Sequence, residues 1–377
     1  MDIEDLQKNK AVSATSKIDR NDLLPRDLVP EKILPFLTTF IYELFHSLYL
    51  EKELLEWSHQ QFRRFCEKSV IVFRRLHHIQ PSHSQISYVY RQLIAQDNYK
   101  GIDCSIHQHA PSLQHYQFLT ENFEEWCLKK HSRCSSGVSV FSLMTSPHPR
   151  YQDSKGKWKT QRYSCKHNCY YCPNEPAHKA NGWQPQARSY LYQEPTVLRA
   201  NRQKFSPSQQ IWERGQVYLM NGHPVDKMEV IILGGTWSEY PRDYQEWFLG
   251  QVYWSANHLI EWCRLKSKGL DIIPPEQVDP EGDKIGYTEP GDSRVVNLPP
   301  YRGLEAEQES NQSPTNVCRV VGLTIETRPD AITPEILEDC RRWGVTRIQI
   351  GVQHTNQGIL DLVNRGCSLQ DTINSTR

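Results

Sequence analysis

The chain is short of several things that would have settled its class at once. It has no net charge, 44 Lys and Arg against 44 Asp and Glu, so no global field draws in nucleic acid. It has no long apolar run. The most apolar stretch, residues 33–50, is interrupted by Pro35, Glu43 and His46, and reads as an amphipathic helix, not a membrane span. No signal peptide precedes its cysteines, which number 11, an odd count, and are scattered apart from one triplet. That usage argues against a disulfide scaffold and for a reducing compartment, with the cytosol as the expected location. There is no second Cys-x2-Cys pair, so a closed four-cysteine zinc site has no obvious second half.

The triplet itself is the run Tyr163-Ser-Cys-Lys-His-Asn-Cys-Tyr-Tyr-Cys-Pro173. Cys165, Cys169 and Cys172 are spaced C-x3-C-x2-C, with the aromatic Tyr171 before the last. Most electron-transfer [4Fe–4S] clusters take four cysteines. Three thiolates on one tight loop leave one iron open to bind and cleave a cofactor, the arrangement of enzymes that reductively cleave S-adenosylmethionine (SAM). The competing reading is structural zinc, with His167 or a distant cysteine as fourth ligand.

The 377 residues suffice for two or more domains. Residues 1–29 are polar and aperiodic, a flexible tail. Residues 30–130 read as a helical domain. Phe40, Ile41, Leu44, Phe45 and Leu48 recur at helical spacing, Leu54, Leu55, Phe62 and Phe65 continue it, and residues 86–94 form a further short helix. From Val138 the rhythm changes. Short apolar runs at 138–144, 228–233, 320–325 and 346–350 alternate with helical stretches at 195–221, 241–263 and 333–343. Such alternation implies parallel βα units, in which chemistry gathers at the C-terminal ends of the strands. The loops there hold the cysteines, Gly234-Gly235-Thr236, Glu326-Thr-Arg328 and Gly351-Val-Gln353. Residues 264–317, rich in Pro, Gly and acidic residues, read as a surface insertion. Charge is uneven: residues 129–204 carry 14 Lys and Arg against 3 Asp and Glu, which suits a phosphate-rich substrate.

In order and at compatible spacing, a set of runs resembles the family of the catalytic subunit of Elongator, the radical-SAM and acetyltransferase enzymes that modify wobble uridine in tRNA. The runs are Ser136-Gly137-Val138, the cysteine loop, Ser189-Tyr190, Glu194-Pro195-Thr196, Leu198-Arg199-Ala200, Val225 to Glu229, Gly234-Gly235-Thr236, Gly322 to Asp330, Ile350 to Gln353, and Asn364-Arg365-Gly366. The resemblance runs from about Ser136 to the end of the chain, with a weaker match before it. It implies an α/β fold, a partial radical-SAM (β/α) barrel over residues 131–377, preceded by a helical tRNA-binding-type N-terminal domain.

The same resemblance implies roles. Cys165, Cys169 and Cys172 would ligate a [4Fe–4S] cluster, and Tyr171, Gly234, Gly235, Thr236 and Gln353 would face SAM. Lys227 matches the lysine that contacts acetyl-CoA, the co-substrate. Glu326, with Arg328, would line the barrel mouth, and Lys227 and Glu326 are the catalytic candidates. Lys129, Lys130 and Arg133 would lead a basic face toward tRNA, with Tyr163, Trp183 and Tyr190 as stacking candidates. The implied partners are tRNA and other Elongator subunits, with no membrane. The implied location is cytoplasmic, with a nuclear pool left open. The implied reaction is carboxymethyl addition at C5 of U34, an acyltransferase and radical-SAM chemistry. Gln349 stands where the family usually has Glu. The chain ends at Arg377, before further strands and an acetyltransferase domain that the resemblance implies, so this chain alone is expected to be inactive. Another radical-SAM enzyme, or a non-catalytic tRNA-binding or assembly module, are the alternatives.

Overall fold

A computed structural model describes residues 28–100, 110–128, 131–272, 295–296 and 298–377. Lys129 and Lys130, the tail up to residue 27 and residues 273–294 of the expected insertion lie outside the described residues. The chain divides into two compact units. One comprises residues 1–137 with 216–224 and 263–270. The other comprises residues 138–215, 225–262 and 271–377.

The first unit is built on helices α1 (Leu34–Tyr49), α2 (His59–His77), α3 (His83–Lys100) and α4 (Leu113–Cys127). In α1 the buried positions Leu37, Phe40, Ile41, Leu44, Phe45 and Leu48 follow the spacing of one helical face. That face meets an aromatic cluster: Phe45 lies 4.9 Å from Phe123, and Tyr90 lies 4.6 Å from Phe123, ring centre to ring centre. Ser58 opens α2 with a capping box closed by Gln61, and His78 ends it in the left-handed conformation. Leu55, counted with the apolar pattern, is exposed, because Leu54–Glu56 is a 3₁₀ turn that sends only Leu54 inward.

The second unit is α/β. Its strands are β1 (Ser139–Met144), the hairpin β2 (Arg150–Gln152) and β3 (Trp158–Thr160), β4 (Lys227–Leu233), a two-residue pair β5 (Asp271–Ile272) and β6 (Val295–Val296), β7 (Arg319–Thr327) and β8 (Arg347–Ile350). The main sheet is four-stranded, in the order β1-β4-β7-β8, and all its pairings are parallel. The four apolar runs read from the sequence are these four strands: β1 and β8 each begin one residue later than read, β4 begins one earlier, and β7 runs from one residue earlier to two later. All four strands therefore deliver their following loops to one end of the sheet. Helices α5 (Pro195–Arg202), α6 (Pro207–Met220), α7 (Arg242–Ser267), α8 (Leu304–Gln312), α9 (Pro334–Arg342), α10 (Gln357–Leu362) and α11 (Leu369–Ser375) complete the α-helices of the described residues.

Two expectations about elements are corrected. The stretch 195–221 is two helices. Lys204 and Phe205 take left-handed backbone at the break, and Pro207, which lacks an N–H, starts the second. The expected insertion 264–317 is not all surface loop. It contains α8, whose Glu307 and Asn311 are 1% exposed. Glu307 accepts hydrogen bonds from Asn257 (2.9 Å) and Arg302 (3.1 Å). Asn311 donates to the carbonyl of Cys318 and accepts from the N–H of Val320, so a polar latch holds α8 beside the start of β7. The latch is polar, so hydrophobic periodicity gives no sign of it.

Candidate functional site

The loops at the C-terminal end of the sheet enclose a cavity of ≈ 330 Å³. Its lining includes all three triplet cysteines, Tyr171, Gly235 and Thr236 after β4, Glu326 to Arg328 at the end of β7, and Gln349 to Gly351 with Gln353 at the end of β8. Four loops separated by up to nearly two hundred residues thus converge, because parallel strands place every such loop on the same edge.

Backbone conformation makes the close approach. Gly234 has φ of +116° and Gly235 of +39°. A Cβ on Gly235 would lie 2.0 Å from the carbonyl oxygen of Ser164, and one on Gly234 would lie 2.1 Å from Thr145 Oγ1. The glycines let the β4 loop lie directly on the start of the cysteine loop, where the Thr236 N–H bonds that same Ser164 carbonyl at 2.9 Å. Two non-glycine residues lining the cavity, Ser189 (φ 81°) and Gln353 (φ 68°), are also left-handed, a strain of the kind that concentrates at binding sites.

Each cysteine has its own setting. Thr236 Oγ1 donates to Cys165 Sγ at 3.2 Å, and Cys172 Sγ lies 3.0 Å from Ser189 Oγ. Cys169 is buried, and its Sγ lies 3.7 Å from Arg365 Nη1 and 3.8 Å from Arg328 Nη1. Arg328 is held by Asp330 through two hydrogen bonds (2.9 and 3.2 Å) and donates to the Arg365 carbonyl at 2.8 Å. It does not pair with Glu326. Glu326 instead accepts a hydrogen bond from Tyr190 Oη at 2.9 Å. Burial in the cavity raises the Glu326 carboxyl above its ordinary 4.5, an effect the Tyr190 bond only partly opposes. Burial, and then the neighbouring Glu326, push the Tyr190 phenol up as well.

His167, the fourth ligand of the zinc reading, also lines the cavity. Its Nε2 lies 3.7 Å from Glu239 and 3.8 Å from Asp330, and burial, then Arg328, lowers its pKa below the ordinary 6.5. Among the described residues no three His, Cys, Asp or Glu side chains converge as ligands of one ion would. The three sulfurs instead line a cavity. A cubane fits that arrangement, since each thiolate takes a different iron, and the two buried guanidiniums beside Cys169 suit an anionic thiolate cluster.

The other expected residues divide. Tyr171, Thr236, Gln353 and Glu326 line the cavity, and Gly234 shapes it from behind. Lys227 is not brought to it. It is exposed at the opposite, N-terminal end of β4, about 20 Å of strand from the Gly-Gly turn. Arg133 is exposed in the first unit, 5.9 Å from the Tyr218 ring. Tyr163 and Trp183 are exposed, and Tyr190 is engaged with Glu326. Sequence reasoning assigned no role to Arg365 or Ser189, although each belongs to a run already singled out. The runs Ser189-Tyr190 and Asn364-Arg365-Gly366 were the available signal, and the structure turns the latter with φ of 53° at Asn364 and 68° at Gly366.

No protein-family profile matches the chain. Among curated proteins, a tRNA uridine(34) acetyltransferase of Methanocaldococcus infernus is 31% identical over 250 residues, 66% of this chain and 36% of that protein. Elongator complex protein 3 of Schizosaccharomyces pombe is 28% identical over 250 residues, with the same coverage of 66% and 36%. Elongator complex protein 3 of Homo sapiens is 29% identical over 238 residues, 63% of this chain and 34% of that protein. The chain spans about a third of the length of these relatives. Among solved structures, an N-terminally deleted Methanocaldococcus infernus Elp3 aligns with a TM-score of 0.38 at 23% identity, over 63% of this chain and 34% of that one. The resemblance carried by the motifs is thus matched by similarity along some two thirds of the chain to Elongator complex protein 3 and the tRNA uridine(34) acetyltransferases.

Proposed function

We propose, on that similarity, that this chain is the radical-SAM part of an Elongator-type enzyme that modifies the wobble uridine of tRNA, a partial (β/α) barrel whose cavity receives SAM. The observation that carries the reading is the convergence of Cys165, Cys169 and Cys172 with the Gly-Gly turn and the ends of β7 and β8 on one cavity. Cys165, Cys169 and Cys172 would hold a [4Fe–4S] cluster. With SAM bound, such a cluster supplies the one-electron chemistry that lets a methyl hydrogen of an acetyl group be abstracted for carboxymethyl addition at C5 of U34.

The chain's own residues bind and orient. Gly235 lines the cavity and offers backbone without a side chain to the methionine end of SAM, with Gly234 behind it. Tyr171, half exposed before the last cysteine, shields one side, and Gln353 offers an amide on the other. Glu326, raised by burial and tied to Tyr190, presents a hydrogen-bonding group of fixed position to whatever enters. The basic segment 129–204 would bind tRNA phosphates, and the exposed Tyr163 and Trp183 would stack unpaired bases. Acetyl-CoA handling, with Lys227, lies away from this cavity, and other Elongator subunits are the expected partners in a cytoplasmic assembly.

The test is anaerobic reconstitution of the full chain with iron and sulfide. The expected result is a brown chromophore of about four irons per chain that changes on adding SAM and is lost in Cys169→Ala. Stoichiometric zinc with no iron uptake would instead favour the second reading, a tRNA-binding or assembly module, to which the placement of Lys227 away from the cavity lends some support.

A further inference from the structure

The three sulfurs differ in what surrounds them, and the difference is one of charge. Cys165 and Cys172 each meet a neutral hydroxyl, Thr236 Oγ1 at 3.2 Å and Ser189 Oγ at 3.0 Å. Cys169 alone meets two cations, Arg365 at 3.7 Å and Arg328 at 3.8 Å. Both arginines are buried, 7% and 2% exposed.

The two cations are not equivalent. Arg328 is bound through two hydrogen bonds to Asp330, so its charge is largely offset where it stands. Among the described residues Arg365 has no carboxylate hydrogen-bond partner: its Nη2 donates to the Gly351 carbonyl at 2.6 Å. Its Nε is buried with no hydrogen-bond partner among the described residues. A buried guanidinium with no carboxylate and an idle N–H is costly to keep. Its retention next to a cavity sulfur points to an anionic occupant that is compensated only when bound.

We infer that Arg365 is a positioning residue that sets the one-electron reduction potential of the cluster held by Cys169, with the Arg328–Asp330 pair as a weaker second contribution. The inference rests on the proposed function. Taking up one electron from an external one-electron donor adds one negative charge to the thiolate-bound group. A fixed cation a few ångströms from a ligating sulfur, out of water, stabilises that added charge and raises the potential. Arg365 carries the larger effect because, among the described residues, its guanidinium has no carboxylate hydrogen-bond partner, whereas Arg328 has Asp330. Asp330 acts in the opposite sense, by screening Arg328.

The experiment is a dithionite redox titration, followed by electron paramagnetic resonance, of the anaerobically reconstituted full chain and of four variants. Arg365→Gln is expected to lower the midpoint by about 59 mV, the shift equal to a tenfold change in the reduced-to-oxidised ratio at fixed potential. Arg365→Lys, which keeps the charge, is expected to shift it by less than half of that. Thr236→Val, which removes only a hydroxyl, is expected to shift it less than Arg365→Gln does. Asp330→Asn is expected to move the midpoint the other way, upward, and keeps the test decisive if Arg365→Gln fails to fold or to load iron. The inference is overturned if iron-replete Arg365→Gln and Asp330→Asn both titrate with the wild type, or if Arg365→Lys shifts the midpoint as far as Arg365→Gln does. If the wild type assembles no cluster at all, the proposed function fails first and the inference with it. A loaded wild type with unmoved variants sinks the inference alone.

Discussion

At the scale of single residues, the cavity turns on two features with opposite relations to water. Glu326 is a carboxyl that burial holds above its ordinary pKa of 4.5. A raised acid binds its proton more tightly in the folded chain than in the unfolded one. Its contribution is therefore fully present below pH 4.5 and is lost as pH rises through the folded pKa. Glu326→Gln removes that loss. Thermal melts of the variant and the wild type should match near pH 4.5 and separate toward neutrality, with the variant the more stable. A difference that does not change with pH would refute this. Gly235 is the other feature, since its φ of +39° and the Ser164 carbonyl 2.0 Å from a would-be Cβ leave no room. Gly235→Ala should destabilise by about 3 kcal/mol or more, combining backbone strain with a clash against main chain. Gly156, at φ +74° with open space around it, isolates the strain term. Gly156→Ala should cost only about 1–2 kcal/mol in the same urea-unfolding measurement.

At the scale of elements, the parallel sheet was legible and the latch that closes it was not. The runs at 138–144, 228–233, 320–325 and 346–350 announce the four strands as short apolar stretches ended by glycine or polar turns. Helix α8 has the sequence LEAEQESNQ, with no apolar stripe, and lies in a stretch whose composition reads as loop. It is held by Glu307 and Asn311 through side-chain hydrogen bonds to partners far along the chain, Asn257 among them. Asn311→Ala strips partners from the Val320 N–H and the Cys318 carbonyl. Loss of these hydrogen bonds at the start of β7 predicts a destabilisation of about 1–3 kcal/mol. A urea midpoint close to the wild type would show that α8 is dispensable to the sheet.

At the scale of the whole chain, zero net charge hides a strongly basic stretch, so the tRNA binding proposed above is expected to be driven locally. Binding of a tRNA should weaken steeply with salt, and replacing any one exposed cation of residues 129–204 that touches phosphate should reduce the log–log salt slope by about 1. Arg133→Ala is the direct case among the described residues, read by gel shift across a salt series. An unchanged slope would remove Arg133 from the interface.

The amino-acid sequence by itself determined the cysteine loop, the four strands of the sheet and the end of the sheet at which their loops meet. These follow from short-range patterns, such as thiol spacing, apolar runs of strand length and the turns that end them, and local sterics enforce them. Only the tertiary structure decided that Glu326 answers to Tyr190 and not to Arg328, that Lys227 stands at the far end of its strand, and that Arg365 reaches Cys169. That last pair is 196 residues apart. No local spacing encodes such a contact: it exists because parallel strands return the chain, loop after loop, to the same edge, and there the charge around the three cysteines is set.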